Sequence, residues 1–340
     1  MPKPPWHPER LAARLPFLDR RAMLTAATRA FFTARGYREV ETPCLVPAPG
    51  AEVHIRAFET RFEAHLGAGQ GRPLWLRTSP ELAIKKLLAG GAGPVFELAR
   101  VWRNGEVSAR HAPEFTMLEW YRPGLSFEGL MAETEAYIRT VCPPVVEHNC
   151  IRTDLTLPFE RLTMQAAFAR HCNGLDLLAT EGDTARLHAA AARAGLPPRP
   201  DESWEDLFFR LLLECVEPAI GRGRATFLTH WPAPQAALAR RDPADPRAAL
   251  RFELFAAGIE LANAFDELTD PAEQRLRFEE ANAERRRTTG LHGWDVDEDF
   301  IAALDQGLPP TAGIALGFDR LAMLAAGAPR IEDVLWLPVT

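Results

Sequence analysis

The chain is 340 residues long, 47% hydrophobic and 25% charged, the profile of a globular protein whose core needs no covalent staples. A formal net charge of −7 argues against a free nucleic-acid binder, and no apolar run reaches the length of a membrane span. Five scattered cysteines without a Cys-x-x-Cys pair point to reduced thiols and no structural zinc, and the opening MPKPPWHPER lacks the apolar stretch of a secretion signal, so a cytoplasmic protein is expected.

In chain order, DRRAMLTAATRAFFTAR (19–35) alternates at helical spacing and stops before Gly36. GYREVETPCLVP follows as a short strand, with Pro43 marking an edge or a break. Residues 54–62 and 73–78 read as further strand pieces. SPELAIKKLLAGG predicts a helix capped by Ser79, with Pro80 at its first position and Glu81 in the first turn. Residues 95–103 and 114–122 predict an antiparallel pair. From about 125 to 218 the pattern is mostly helical, broken by prolines at 143–144 and 197–200. FELFAAGIELANAFDEL carries Glu253, Glu260 and Glu267 seven residues apart, with Phe252, Phe255, Ile259 and Ala262 at helical spacing. Its periodicity alone predicts an amphipathic helix with a solvated charge stripe. The basic run 285–287 reads as a solvated helix face. GIALGFDRLAMLAAG turns from strand to helix at Gly317.

The stretch RNGEVSARHAPEFTMLEWYRP (103–123) concentrates charge and aromatics at strand spacing. Phe115, Met117, Glu119 and Tyr121 share one face there, so the Glu119 carboxylate must reach water or meet a partner.

Three pieces of this chain resemble the signature motifs of class II aminoacyl-tRNA synthetases, in the lysine branch. GYREVETPCL, with Pro43, is similar to motif 1. FELARVWRN with RHAPEFTMLEWY is similar to motif 2, and GIALGFDRLAM to motif 3. With TSPELAIKKLL upstream, the resemblance covers roughly residues 15–340. It implies one α+β catalytic domain over 1–340, an antiparallel sheet flanked by helices with a helical insertion at about 125–218, and a homodimer formed through motif 1. Only about 35 residues precede motif 1, too few for the anticodon-binding OB-fold domain of lysyl-tRNA synthetases. The pattern therefore looks like the branch that attaches lysine or β-lysine to elongation factor P, with tRNA disfavoured as acceptor.

That resemblance implies ATP-dependent formation of an aminoacyl adenylate, then attack by an acceptor amine. Arg103 would hold the α-phosphate and Arg320 the γ-phosphate, because a guanidinium is always charged and grips oxyanions in bidentate fashion. Asn104, Gly105, Glu106, His111, Leu261, Asn263 and Gly317 would complete the nucleotide site, and Phe115 would stack on adenine. Gly317 would let the backbone approach the nucleotide without a Cβ clash. Glu119, Tyr121 and Glu267 would surround the distal amine of (R)-β-lysine or lysine. Ser79, Pro80 and Glu81 would hold the substrate's other amino group. The resemblance replaces the helix over 252–268 with two strands turning near Gly258, so that Glu253 and Glu260 bind Mg2+ between phosphates.

Three departures bear on specificity. The motif 2 arginine is usually followed by Asn-Glu, whereas Arg103-Asn104-Gly105-Glu106 delivers its glutamate one residue late. Either the loop shifts so that Glu106 reaches adenine, or a backbone carbonyl near Asn104 and Gly105 takes over. In an extended chain the displaced carboxylate turns to the opposite face, which favours the backbone. Ala112 stands where asparagine is usual. Ala315 replaces a glycine of the amino-acid pocket, and its methyl favours a β-amino acid. A truncated enzyme charging tRNA or a small amine, and an inactive synthetase-like regulatory subunit, are the competing readings. The retained Arg103, Arg320, Glu253, Glu260 and Glu267 argue against inactivity.

Overall fold

The computed structural model describes residues 3–50, 52–65, 69, 71–236, 238–290 and 293–339. The chain packs as two compact units, Met1–Ser126 with Leu268–Thr340, and Phe127–Glu267.

In the first unit, the opening helix runs Pro8–Thr33, eleven residues longer at its start than the apolar periodicity shows. Pro8 supplies a preset φ at the first turn, and the His7 ring accepts from the Glu9 N–H. Leu18, Leu24, Thr28, Phe31 and Phe32 lie on its buried face. The Phe32 ring meets Phe96 and Trp120 at 5.0 Å and Tyr37 at 5.3 Å, which fixes the helix on the sheet. The sheet begins with Arg38–Glu39 parallel to Val95–Trp102, followed by Glu114–Pro123 and Thr311–Gly317, each antiparallel to its neighbour. A smaller sheet joins Leu45–Val46, Arg72–Leu76 and Glu59–Phe62.

The helix after Ser79 runs Glu81–Ala89, so Pro80 occupies the cap position rather than the first turn. Pro80 has no side-chain acceptor for the first-turn N–H groups, and Ser79 Oγ instead accepts from the Glu81 N–H at 3.0 Å. The basic run 285–287 lies on the helix Pro271–Thr289, but it is not uniformly solvated. Arg285 is buried, donates to the carbonyls of Val53 and Ile55, and stacks 3.8 Å above the Trp294 ring. A guanidinium that finds carbonyl acceptors and an aromatic face can leave water at little cost.

The second unit adds strands to the mostly helical stretch expected over 125–218. The helix Phe127–Val141 is followed by three short strands, Val145–His148, Ile151–Asp154 and Glu160–Thr163. Their hairpin turns through Asn149 and Cys150 at φ of 48° and 63°, a positive-φ pair without the glycine that usually announces it. Helices Met164–His171, Thr184–Arg193 and Trp204–Leu211 then bury Phe168, Leu187, Trp204, Phe208 and Leu211 in one cluster with Trp231. In this unit Glu160–Thr163, Thr226–Pro232, Ala248–Ala256 and Ile259–Asp266 pair in that order, the first pair parallel and the rest antiparallel. No helix among the described residues is long and apolar enough to cross a membrane.

Candidate active site

The strand Glu114–Pro123 sets the site in the first unit. Its neighbours place Val101, Met117's partner Ala99, and Glu97 opposite Phe115, Met117 and Glu119, while Ala315 and Gly317 face Glu119 and Met117 from the other side. Residues directly opposite in such ladders share a face. This face is therefore graded, apolar around Phe115, Val101 and Met117 and acidic around Glu119 and Glu97.

Glu119 is fully buried, yet both its oxygens have partners. Ser79 Oγ donates to Oε1 at 2.7 Å and the Tyr121 hydroxyl to Oε2 at 2.8 Å. Burial first, then the nearby Glu81 charge, push the Glu119 carboxyl up to about 8 against the two hydrogen bonds. The hydrogen bonds suit an ionised acceptor and the raised value a neutral acid. Both hold, because a hydroxyl can donate to a carboxylate or accept from a carboxylic acid. Glu97, directly opposite, is neutralised by Arg77 at 2.8 Å and accepts from the Thr42 hydroxyl at 2.7 Å. Thr42 immediately precedes Pro43, so the proline break delivers a hydroxyl to this acidic row. Glu81 pairs with Lys85 at 2.5 Å.

Toward the other end of the same face, the Arg103 guanidinium lies 5.4 Å from the Phe115 ring centroid. Its buried Nε has no hydrogen-bond partner among the described residues. Arg320 donates to His111 Nε2 at 2.6 Å, which leaves the imidazole proton on Nδ1, where Ser108 Oγ lies at 2.7 Å. Asn104 and Gly105 form a turn with Gly105 at φ +88°, so the chain here is not extended. That overturns the face-switching argument: Glu106 stays on the side of Arg103, 3.9 Å from its guanidinium. Gly317 has φ −68°, and a Cβ there would meet Arg320 Cδ at an ordinary 3.5 Å. The chain's own packing does not demand glycine at that position.

In the second unit, Glu253 and Glu260 lie on adjacent strands of one hairpin, not on a helix. The turn passes through Ala257 and Gly258, both at positive φ. Glu253 faces Asn263 and Phe255 faces Glu260, with a bulge at Leu261. Strict alternation would put positions 260 and 263 on opposite faces. The extra residue returns Glu260 to the face of Asn263 and Glu253. Burial and the Glu260 charge raise the Glu253 carboxyl even though Arg251 pairs with it at 2.7 Å. Arg251 also donates to Asn263 Oδ1 at 3.1 Å and lies 3.8 Å over Trp231. Glu267, the last residue of this unit, is buried. Among the described residues no three His, Cys, Asp or Glu side chains cluster as a complete metal site.

Arg251, Lys85, Arg77 and Glu97 are absent from the sequence-derived set. Arg251 was detectable in principle: Arg-Phe-Glu at 251–253 puts opposite charges two apart on a strand. Lys85 stands four residues from Glu81, the spacing of a helical ion pair. The Arg77–Glu97 pair joins distant segments and leaves no local mark.

The sequence profile of the class II tRNA synthetases (D, K and N) matches residues 12–340. The elongation factor P–(R)-β-lysine ligases of two strains of Klebsiella pneumoniae are each 45% identical to this chain over 332 residues, 97% of it and 96% of the relative. The ligase of the same name from Salmonella paratyphi B is 44% identical over the same shares.

Proposed function

Since this chain belongs to the class II tRNA synthetases (D, K and N) and is an ATP-dependent ligase, we propose that it activates (R)-β-lysine, or lysine, and transfers it to a lysine side chain of elongation factor P. A carboxylate oxygen of the amino acid attacks the α-phosphorus of ATP and pyrophosphate leaves. The neutral acceptor amine then attacks the acyl carbon, AMP departs with the bonding electrons, and the amine nitrogen gives up one proton to solvent as the amide forms. The reading includes a cytoplasmic homodimer.

Arg103 stabilises charge that grows on the α-phosphate oxygens, and Phe115 supplies the stacking face for adenine. Arg320 takes the γ-phosphate, its guanidinium steered by His111. Asn104, Gly105, Glu106, Leu261, Asn263 and Gly317 belong to the same nucleotide reading. The residues fit a divalent cation: Glu253 and Glu260 are two neighbouring carboxylates whose repulsion a cation would relieve. Mg2+ held there with phosphate oxygens would neutralise charge on the nucleotide.

The observation that supports the amino-acid assignment most strongly is Glu119, buried and held by two hydroxyls. A buried carboxyl raised toward neutrality gains most from a substrate ammonium. Glu81 would hold the second amino group beside Ser79 and Pro80, and the methyl of Ala315 would line the pocket. Glu267 is assigned to the distal amine on the family pattern alone. Incubation of elongation factor P with enzyme, Mg2+-ATP and each lysine isomer should add one aminoacyl mass, faster with (R)-β-lysine. An unmodified factor alongside efficient tRNA charging would overturn the proposal.

A further inference from the structure

Lys85 is the most deeply withdrawn cation of the first unit. Its side chain is fully buried, and its ammonium reaches Glu81 Oε1 across one helical turn at 2.5 Å. Taking an ammonium out of water costs several kcal/mol, and an aliphatic residue of similar volume would pack there without that cost. The charge at this position therefore calls for a reason beyond filling the core.

The surroundings supply one. Glu81 is the more accessible member of the pair, its side chain 11% exposed. Its backbone N–H donates to Ser79 Oγ, and the same hydroxyl donates to Glu119. Glu81 is thus joined through the single side chain of Ser79 to the buried carboxyl that its own charge helps to raise. A glutamate with three free torsions in that position would turn away from a second carboxyl toward water. An ammonium clamped on one oxygen prevents this and leaves the other oxygen available.

We propose that Lys85 is a positioning residue for amino-acid recognition: it fixes Glu81 by Oε1 so that Oε2 receives the ammonium on the α- or β-carbon of the substrate. The inference rests on the assignment of Glu81 to that amino group and gives the group its geometry. It also explains why the helix Glu81–Ala89 begins with the glutamate four residues before a buried lysine, the favourable order for such a pair.

The test is a double-mutant cycle on the full chain, read by amino-acid-dependent pyrophosphate exchange with melting curves for every variant. Lys85→Met keeps the unbranched stem and removes the charge. It should raise the KM for both lysine isomers at least about tenfold while the KM for ATP stays within about twofold. In a Glu81→Gln background the same substitution should add less than about twofold, because Lys85 acts through Glu81. A lysine that only stabilises the helix would lower the melting temperature, leave the amino-acid KM unmoved, and overturn the proposal. Independent, multiplying effects in the double variant would overturn it too. If Glu81→Gln itself leaves the amino-acid KM unchanged, the substrate assignment fails and takes the proposal with it. Should Lys85→Met not fold, Lys85→Arg retains the charge but displaces its centre. A several-fold rise in amino-acid KM then supports the proposal, and an unchanged KM overturns it.

Discussion

The Ser79 hydroxyl donates to Glu119 Oε1 at 2.7 Å while accepting the Glu81 N–H at 3.0 Å, so one side chain ties a helix start to the centre of a strand. This link joins the Glu119 carboxyl to the backbone of Glu81, whose charge helps to raise it, and the proton balance of the site follows from it.

Glu119 is pushed up to about 8, chiefly by burial. At pH 7 it is largely protonated until an ammonium arrives, which favours the charged form. Binding of (R)-β-lysine at pH 7 should therefore release close to one proton per site. Calorimetric enthalpies measured in buffers of different ionisation enthalpy read this directly. Glu119→Gln should abolish the buffer dependence, and a wild type showing none would contradict the assignment of Glu119 to the amine.

The same group sets a sign for stability. Its folded pKa lies above the ordinary carboxylate value of 4.5, so the folded state binds more protons between 4.5 and about 8. The contribution is fully present below 4.5 and is lost as pH rises through 8. The melting temperature of the ligand-free protein should fall from this source across that window, and Glu119→Gln should flatten the decline. Glu253, also raised, contributes a slope of the same sign, so some decline persists in the variant.

Arg320 and His111 form a donor–acceptor pair at 2.6 Å. His111→Ala removes one hydrogen bond from the guanidinium and should lower kcat/KM for ATP about tenfold, close to the roughly 1.5 kcal/mol of a weak hydrogen bond to a charged group. Arg320→Lys loses the planar fork and should cost more, about a hundredfold. Pyrophosphate exchange measures both. An unchanged kcat/KM in His111→Ala would deny His111 its steering role.

Glu106 keeps company with Arg103 because Gly105 turns the loop at φ +88°. Glu106→Ala should raise the KM for ATP about fivefold to tenfold with little change in kcat, near 1–1.4 kcal/mol. A change below about twofold would return adenine recognition to the backbone carbonyls of Asn104 and Gly105.

Ala315 lies directly opposite Glu119 across the ladder. Ala315→Gly opens room of one methyl and should shift relative kcat/KM toward α-lysine about fivefold, consistent with roughly 0.8 kcal/mol for one carbon. An unchanged isomer ratio would separate this methyl from specificity.

The sequence by itself determined the strand pair around 95–122, the helix following Ser79, the switch to helix at Gly317 and the residues of the three motifs. These depend on alternation, caps and turn residues within a few positions of each other. Position 260 lay beyond that reach. Helical spacing in 252–262 mimicked an amphipathic helix, since both faces of a buried hairpin are apolar. The resemblance gave two strands turning near Gly258, and pairing with 248–256 and the bulge at Leu261 put Glu260 on the face of Glu253. The hairpin at Asn149–Cys150 went unread for want of a glycine, although its backbone takes positive φ. The environment of Glu119 was equally nonlocal. Its alternation raised the need for a partner, but Ser79 and the opposing Glu97 came from other segments. Burial and register depend on residues far apart in the chain, and the tertiary structure alone converts them into a proton affinity and a shared face.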